Sequence, residues 1–369
     1  MDRKILYIGN KLSHTEGGAD VVNLRNIKLL FKIFGEKNVH FFELKNNSVL
    51  EKLQFYIGGI NKEIENAIIT FLNQNQDIGY VFLSQSTLGR IAKKIKKRFG
   101  DRIKVITFFH NIEKHYAREY IKVVGLKGYY LYVASAFNEK LSVKYSDTHI
   151  LLNNRDSEYL YKEYKVSSNI ILPVSCEDKF LPERILTTDN QHKIFLFVGV
   201  AFFANINGIE WFMDKVLPNV KGKLIIVGKG MEQYKDRWQS DRVEVHGFVE
   251  DISEFYYKSS VVIAPILVGG GMKTKTAEAL MYGKTIVGTK EAFEGYIKDN
   301  RAMIECNTDE EFIFSLNTIN NVGFNNISRE IFINNYSNES LLLKFKKIFI
   351  NIKNRSHLRL LIQFLTRLF

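Results

Sequence analysis

Short apolar runs alternate along the chain with stretches whose apolar residues recur at helical spacing, and this alternation predicts strands separated by helices. The run at 4–9 is the first predicted strand, and 20–34 has the three-and-four periodicity of an amphipathic helix. Further strands are predicted at 38–43, 80–83, 104–109 and 148–152, and then at 194–198, 223–227, 243–246, 260–264 and 284–288.

Strands that alternate with helices favour right-handed βαβ units and a parallel sheet, so the fold class is α/β. Two of the four prolines lie within 170–182, between the two series of strands. We therefore expect an N-terminal Rossmann-like domain at 1–172 and a C-terminal one at 173–339. Two doubly wound domains imply a central cleft between them, and open α/β sheets bind ligands beyond the carboxyl ends of their strands.

The composition excludes several classes of protein. With 46% hydrophobic residues in 369, the chain is not largely disordered, and no stretch approaches the roughly 18 apolar residues of a membrane span. The N-terminus has no signal-peptide pattern. Cys176 and Cys306 are too far apart in sequence for a CxxC motif, so a disulfide scaffold or a zinc ribbon is not expected. These features predict a cytoplasmic protein in a reducing compartment.

The net charge of +12 is unevenly distributed. Residues 1–172 have 27 Lys/Arg and 17 Asp/Glu, 173–339 have 18 and 23, and 340–369 have seven Lys/Arg and no acid. An excess of positive charge in the first half and the tail indicates an anionic partner, either a nucleic acid or a membrane surface.

Two basic segments could form that surface. The tail 340–369 has the pattern of a basic amphipathic helix, which either packs on the first domain or also contacts anionic lipid. Residues 90–98 contain six Lys/Arg on a predicted helix, either as a solvated face or as a binding face. Because nothing resembles an established nucleic-acid module, we expect no nucleic acid and favour the membrane.

The candidate ligand site is a glycine-rich segment after the predicted strand 260–264. Three glycines, 269–271, precede Lys273 and Lys275, and a predicted helix follows with Glu278 in its first turns. Glycines let backbone amides approach a ligand, and a helix N-terminus favours anions. We therefore expect a diphosphate here, with Glu278 accepting hydrogen bonds from ribose hydroxyls. The alternative is a glycine-rich surface loop with solvated lysines, and the spacing fits neither a P-loop nor G-x-G-x-x-G.

The segment from Gly269 to Gly283, with Lys273, Lys275 and Glu278, resembles the donor-binding signature of retaining glycosyltransferases of family 4, which have the two-domain GT-B fold. Weaker resemblances cover roughly residues 5–335. The resemblance implies a C-terminal helix that returns to the first domain. It also implies donor contacts from the first loop, from the loop that opens the second domain, from the nucleobase loop and from the signature itself: Gly17, Gly18, Gly199, Gly247, Phe248, Val249, Gly270, Gly271, Met272, Lys273, Thr274, Lys275 and Glu278.

His110 is the second candidate, because it ends the predicted strand 104–109 and so faces the expected cleft. It is either a satisfied histidine at a strand end or, as the resemblance implies, a residue that lines the donor sugar. The motif around it, His110-Asn111-x-Glu113, is similar to a capsule or exopolysaccharide subgroup. We expect His110, Lys273 and Glu278 to act in catalysis.

The chain departs from the family at one position. The commoner pattern has a second glutamate eight positions before Glu278, where this chain has Gly270, so no covalent nucleophile is assigned there. Many relatives also have an arginine in the loop 200–207, and its absence leaves Lys273 and Lys275 as the expected phosphate-binding charges. No Asp-x-Asp pair occurs, so we expect transfer without a metal or other cofactor.

The sequence therefore predicts a retaining hexosyltransferase. It would move a sugar from a nucleoside-diphosphate sugar to a saccharide or lipid-linked saccharide acceptor in bacterial capsule, exopolysaccharide or O-antigen synthesis, on the inner face of the plasma membrane. Two alternatives stay open: a sugar-nucleotide epimerase or hydrolase of the same fold, and a non-catalytic GT-B subunit that supports a partner enzyme.

Overall fold

The computed structural model describes residues 3–10, 18–44, 47–185, 193–320 and 323–365. The chain forms two compact units. The first comprises 1–13, 26–172 and 341–369, and the second comprises 14–25 and 173–340. The chain passes from one unit to the other between Leu172 and Pro173.

The first unit is a parallel sheet of six strands. In chain order these are β1 (Lys4–Asn10), β2 (Val39–Leu44), β3 (Ile78–Leu83), β4 (Lys104–Phe109), β5 (Thr148–Leu151) and β6 (Ile170–Ile171). They lie in the order β2-β1-β3-β4-β5-β6. The helices of this part of the chain are α1 (Gly18–Phe34), α2 (Val49–Leu53), α3 (Lys62–Gln74), α4 (Gly89–Phe99), α5 (Glu113–Val124), α6 (Tyr129–Tyr145) and α7 (Asn154–Tyr164).

The second unit is also a six-stranded parallel sheet, in the order β12-β11-β10-β7-β8-β9. Its strands are β7 (Ile194–Val198), β8 (Lys223–Val227), β9 (Val243–His246), β10 (Val261–Ala264), β11 (Ile286–Gly288) and β12 (Met303–Glu305). The remaining helices of the chain are α8 (Phe203–Trp211), α9 (Lys235–Trp238), α10 (Ser253–Lys258), α11 (Thr274–Met281), α12 (Asp309–Thr318), α13 (Asn326–Asn335) and α14 (Asn338–Leu365).

The predicted α/β class is confirmed, and each predicted strand forms within a few residues of its expected bounds. All six residues of β3 and of β4 are buried, because helices cover both faces of a parallel sheet. This double burial explains why these strands are continuous apolar runs in the sequence. The sequence did not predict β6 and β12, which have only two and three residues at the sheet edges and so leave little local pattern.

The C-terminal helix α14 packs on the first unit, as predicted. Its Phe345 contacts Phe82 with ring centroids 6.1 Å apart, and Phe349 lies edge-on to Phe34 at 4.9 Å and to Tyr80 at 5.5 Å. Ile348 and Ile352 are buried beside them. Burial of such side chains contributes roughly 1.5–3 kcal/mol each, which accounts for the attachment of the helix.

Candidate functional site

The strand order of the second sheet reverses between β7 and β10. From β7 the chain continues to β8 and β9 on one side, and from β10 to β11 and β12 on the other. Such a switch point leaves a crevice at the carboxyl ends of the two central strands. Gly199 follows β7 directly, and the glycine-rich segment follows β10, so the topology places both predicted donor-binding segments at the same point.

Helix α11 begins at this switch point. Gly271 has a φ of +62°, in the left-handed region that glycine tolerates, and the chain then enters the helix at Thr274. The Ala277 N–H donates to the Tyr296 hydroxyl at 3.1 Å. The N–H groups of Thr274 and Lys275 have no hydrogen-bond partner among the described residues, and unpaired amides at a helix start are available to an anion.

A second helix starts at the same place. Gly18 is the first residue of α1, and a β-carbon on it would lie 3.1 Å from the Thr274 hydroxyl oxygen. The N-termini of α1 and α11 therefore adjoin, and both dipoles favour negative charge there. A larger side chain at position 18 would press against Thr274. Gly17 lies outside the described residues.

Lys275 is the central cation of the site. Its ammonium donates to Asn205 Oδ1 at 2.7 Å and lies 4.1 Å from the centre of the Phe197 ring. The side chain is buried, and burial, together with the charge of Lys273, lowers the pKa of Lys275 to about 7. The hydrogen-bond partner Asn205 is neutral, and the nearby charge of Glu278 offsets the effect of burial only in part, so the amine is suited to a ligand anion.

Gly199 and Asn205 position this lysine. A β-carbon on Gly199 would lie 2.8 Å from Lys275 Nζ and 2.8 Å from Asn205 Nδ2, so only glycine leaves room for both groups. Asn205 Nδ2 donates to the Val200 carbonyl oxygen at 2.9 Å, and this bond turns Oδ1 towards the lysine. Gly199 was predicted as a donor contact, and in the structure it also provides space for Lys275.

Lys273 precedes α11 and bonds within its own loop. Its ammonium donates to the carbonyl oxygens of Gly270 and Gly271 at 3.2 and 3.0 Å, and forms an ion pair of 2.8 Å with Glu291. Glu291 is a site residue that the sequence analysis missed. It lies shortly after β11, and the rule that carboxyl ends of strands carry functional groups could have indicated it.

Glu278 lies on α11, one turn after Thr274, and its carboxylate is held by Tyr256. The Tyr256 hydroxyl donates to Glu278 Oε2 at 3.3 Å, and the Tyr256 ring stacks on Tyr282 at 4.6 Å. Burial raises the pKa of Glu278, partly offset by the Tyr256 hydrogen bond and by the charges of Lys179 and Lys275. One carboxylate oxygen is thus fixed within the protein.

The remaining predicted donor contacts fall into two groups. Met272 is buried in the loop before α11, whereas Gly270 is partly exposed. The second group, Gly247, Phe248 and Val249, follows β9. Because β9 lies two strands from β7, this group is roughly 10 Å from the end of β7 along the same sheet edge. Phe248 is 61% exposed, which leaves its ring accessible to a planar ligand.

His110 belongs to the first unit, whereas the other described candidates belong to the second. It follows β4, and its Nε2–H donates to the Ser84 carbonyl oxygen at 3.1 Å, beside the carboxyl end of β3. The ring of Phe108 packs edge-on against it at 5.1 Å. These contacts fix the ring, and they agree with a structural as well as a substrate-binding role.

Two acidic residues, Glu113 and Glu139, meet at the start of α5. Glu139 is buried in α6 and accepts the backbone N–H of Glu113 at 2.7 Å and of Lys114 at 3.2 Å, so it caps α5. Burial and the neighbouring Glu139 charge raise the pKa of Glu113 to about 8. The Asn111 amide donates to Glu113 Oε1 at 2.7 Å. Burial and the neighbouring charge thus favour the protonated form of the Glu113 carboxyl, three positions after His110 in the chain.

No group of three or more His, Cys, Asp and Glu side chains within the described ranges could hold a metal ion. Transfer without a metal stays a prediction, because a cation can also be bound through the phosphates of a substrate.

A family model for glycosyl transferases group 1 matches residues 192–319, which include the switch-point site. The similarity to this family covers about a third of the chain. Solved structures show the same fold over nearly the whole chain. The apo lipopolysaccharide outer core galactosyltransferase WaaB has a TM-score of 0.66 at 14% identity, covering 96% of this chain and 99% of its own.

Two further solved structures have a similar fold. HepE from Anabaena in complex with UDP-glucose has a TM-score of 0.64 at 12% identity, covering 94% of this chain and 99% of its own. Sucrose-phosphate synthase from Thermosynechococcus elongatus has a TM-score of 0.70 at 12% identity, covering 96% and 100%. No curated protein sequence matches the chain significantly. At these identities the structures establish the GT-B fold, and with the family match they support a glycosyltransferase.

Proposed function

We propose that this protein is a retaining hexosyltransferase that uses a nucleoside-diphosphate sugar. The observation that carries the proposal is Lys275, a buried amine with a neutral partner, at the point where two helix N-termini adjoin. A diphosphate would place a negative charge in direct contact with the Lys275 amine, which the neutral Asn205 does not, and the amides of Thr274 and Lys275 would donate to its oxygens.

The residues then have distinct roles. Lys275 and the helix amides stabilise the charge that develops on the leaving diphosphate, with Lys273 as a second cation once its pair with Glu291 opens. Glu278 accepts hydrogen bonds from the ribose. His110 donates to a hydroxyl of the transferred sugar.

Position 270 carries no carboxylate, so the mechanism assigns no covalent intermediate to it. The bond from the sugar C1 to the diphosphate oxygen breaks, and the acceptor oxygen bonds to C1 on the same face. The acceptor's proton passes to the departing diphosphate. Same-face attack retains the anomeric configuration.

The acceptor is proposed to be a lipid-linked saccharide in bacterial surface polysaccharide synthesis. Two observations support this class: the likeness in fold to a lipopolysaccharide galactosyltransferase, and the basic surface of the first half of the chain. An enzyme acting on such an acceptor works at the inner face of the plasma membrane. None of the helices in the described part of the chain is long and apolar enough to span a bilayer.

The test is consumption of UDP- and GDP-sugars with and without saccharide acceptors, followed by NMR assignment of the product anomer. Acceptor-dependent consumption with retention supports the proposal, and inversion contradicts it. Consumption without an acceptor indicates a hydrolase or an epimerase. Donor binding without turnover indicates a non-catalytic subunit. A parallel assay with EDTA tests the predicted independence of metal.

Membrane contact through the basic segments is a separate part of the proposal. Within 90–98, Arg90 and Lys94 pair with Glu65, and Lys96 pairs with Asp147. Among the described residues no hydrogen bond or ion pair involves Lys93, Lys97 or Arg98. Each exposed cation near an anionic leaflet contributes about 1 kcal/mol of binding. Salt-sensitive co-sedimentation with anionic vesicles, weaker for a chain ending at Ser356, would support this contact.

A further inference from the structure

The first unit exposes an apolar cluster around α2. Three of the five residues of this helix are apolar, Val49, Leu50 and Leu53, and their side chains are 69–74% exposed. Next to α2, Phe55 lies with its ring 6.1 Å from Tyr130 and 6.0 Å from Phe137, both on α6. The Tyr130 hydroxyl also donates to the Lys52 carbonyl oxygen. These contacts join α2 and α6 into one surface.

The surface extends to the connection between α5 and α6. Leu126 is 90% exposed in this connection, and Tyr129, at the start of α6, is also exposed. Phe55 has a φ of +60°, an uncommon conformation for a residue with a side chain. The hydrogen bond from Asn138 Nδ2 to the Phe55 carbonyl oxygen, 3.0 Å long, holds this turn. We call Val49, Leu50, Leu53, Phe55, Leu126, Tyr129 and Phe137 the apolar cluster.

Cations surround the apolar cluster. Arg90 on α4 lies 5.9 Å from the Phe137 ring, and a β-carbon on Gly89 would clash with the Asn138 carbonyl oxygen, so α4 begins directly against α6. Lys93 and Lys97 follow on α4. Exposed Lys140 and Lys144 follow Phe137 on α6, while Lys52 and Lys127 lie within the apolar segments.

Arg90 pairs with Glu65 of α3, but the acids of the segments themselves do not offset the charge of the lysines. Helix α4 contains none, and the one acid of α6, Glu139, is buried. Glu51 of α2 caps its own helix through Ser48 and also accepts from Asn61. Glu119 on α5 pairs with Lys122 at 2.8 Å.

From this juxtaposition we propose that the apolar cluster inserts into the interfacial region of an anionic lipid bilayer, with α4 and α6 on the headgroups. Apolar side chains beside lysines, with tyrosines 129, 130 and 132 between them, match the layers of a bilayer interface. A protein partner would have to offer an apolar face with an acidic rim, and a second copy of this basic surface would repel the first. The inference rests on the proposed membrane contact and deepens it, because insertion adds an apolar part to the binding free energy that salt does not screen.

The first experiment is co-sedimentation of the full chain with vesicles of phosphatidylcholine and phosphatidylglycerol, at low and high salt. The double variant Leu50→Asp/Leu53→Asp should lower the partition coefficient about tenfold or more and abolish the binding that survives high salt. Phe314→Asp is the matched control, because Phe314 is 70% exposed but lies on α12 of the second unit, and it should bind as the wild type does.

The second experiment places a reporter in the cluster. Leu50→Trp emission should shift to the blue with these vesicles and should be quenched by brominated acyl chains, whereas Phe314→Trp emission should not change. Unchanged emission of Leu50→Trp, or wild-type binding by the double aspartate variant, would overturn the inference. A wild-type dimer that the double variant dissociates, without any effect on vesicle binding, would assign the cluster to self-association instead.

These outcomes are independent of catalysis. The aspartate variants should keep wild-type nucleotide affinity and wild-type transfer to a water-soluble acceptor, because none of the changed residues belongs to the donor site. If no sugar transfer is found, the vesicle and fluorescence measurements still decide the apolar cluster. If transfer is found and the vesicle effect is absent, only the insertion is wrong.

Discussion

The two units place their cations in opposite ways. Residues 173–339, which form most of the second unit, have a net charge of −5, yet this unit buries Lys275 beside a neutral asparagine. Residues 1–172, most of which belong to the first unit, have a net charge of +10. In this unit Arg90, Lys94 and Lys96 of α4 pair with carboxylates. The net charge of a region therefore does not indicate where a candidate anion site lies.

Burial explains the difference. A buried amine has lost its hydration and attracts one well-placed anion strongly, since few water molecules screen the interaction. Exposed lysines are hydrated and screened by salt, so they act only together and on an extended anionic surface. By this reasoning a buried lysine such as Lys275 is suited to a single, closely placed anion, and the exposed lysines of α4 are suited to an extended anionic surface.

Replacement of His110 tests whether the first unit takes part in the chemistry. We expect His110→Ala to lower kcat about 100-fold or more, the range for loss of a positioned hydrogen-bonding group. Nucleotide affinity, measured by calorimetry, should stay near the wild-type value because the proposed nucleotide contacts belong to the second unit. His115→Ala, five positions further on, is the control. Equal losses of kcat and affinity, or lowered thermal stability, would instead support a structural histidine.

Replacement of Lys275 tests the buried cation. Lys275→Met should weaken nucleoside-diphosphate binding about 10–100-fold, from the loss of one charge-assisted contact of about 1.5–3 kcal/mol. The fold should become more stable by roughly 1–4 kcal/mol, less the cost of leaving Asn205 Oδ1 unpaired. Lys97→Met on α4 is the control and should change neither quantity. A Lys275→Met variant that binds nucleotide normally would contradict the assigned site.

The pKa of Lys275 predicts a proton linkage. With a pKa of about 7 in the free protein, the amine is largely neutral at pH 8, and a bound diphosphate should raise this pKa. Nucleotide binding should therefore take up a proton at pH 8, and affinity should fall by up to about tenfold per pH unit above 7. Calorimetry in two buffers of different ionisation enthalpy measures the uptake. Lys275→Met should abolish it; an unchanged uptake would assign the proton to another group.

The ion pair between Lys273 and Glu291 predicts a smaller effect. If the ligand competes with Glu291 for Lys273, Glu291→Gln should strengthen diphosphate binding by a few fold, corresponding to about 0.5–1 kcal/mol for a weakly exposed pair. Glu294→Gln, in the same loop, is the control. Weaker binding in Glu291→Gln would show that the carboxylate orients Lys273 for the ligand rather than competing for it.

The strands and the start of α11 could be predicted from the chain alone, because their signals are local. Strand β4 is a continuous apolar run, and the glycines at 269–271 followed by Lys273 and a helical pattern mark a loop that enters a helix. Parallel topology follows from the alternation, since parallel strands need a crossover. Local sequence thus indicated both the fold class and the segment that holds the candidate site.

The burial, the hydrogen bonds and the pKa of each site residue depend on partners that are distant in the chain. Asn205 is 70 positions from Lys275, and Glu291 is 18 positions from Lys273. The sheet order, with β7 beside β10, brings Phe197 and Gly199 to Lys275 and buries its amine. A pKa depends on hydration and on neighbouring charges in space. The spacing of the two lysines along the chain therefore could not reveal that Lys275 is buried and largely neutral near pH 8, whereas Lys273 pairs with Glu291.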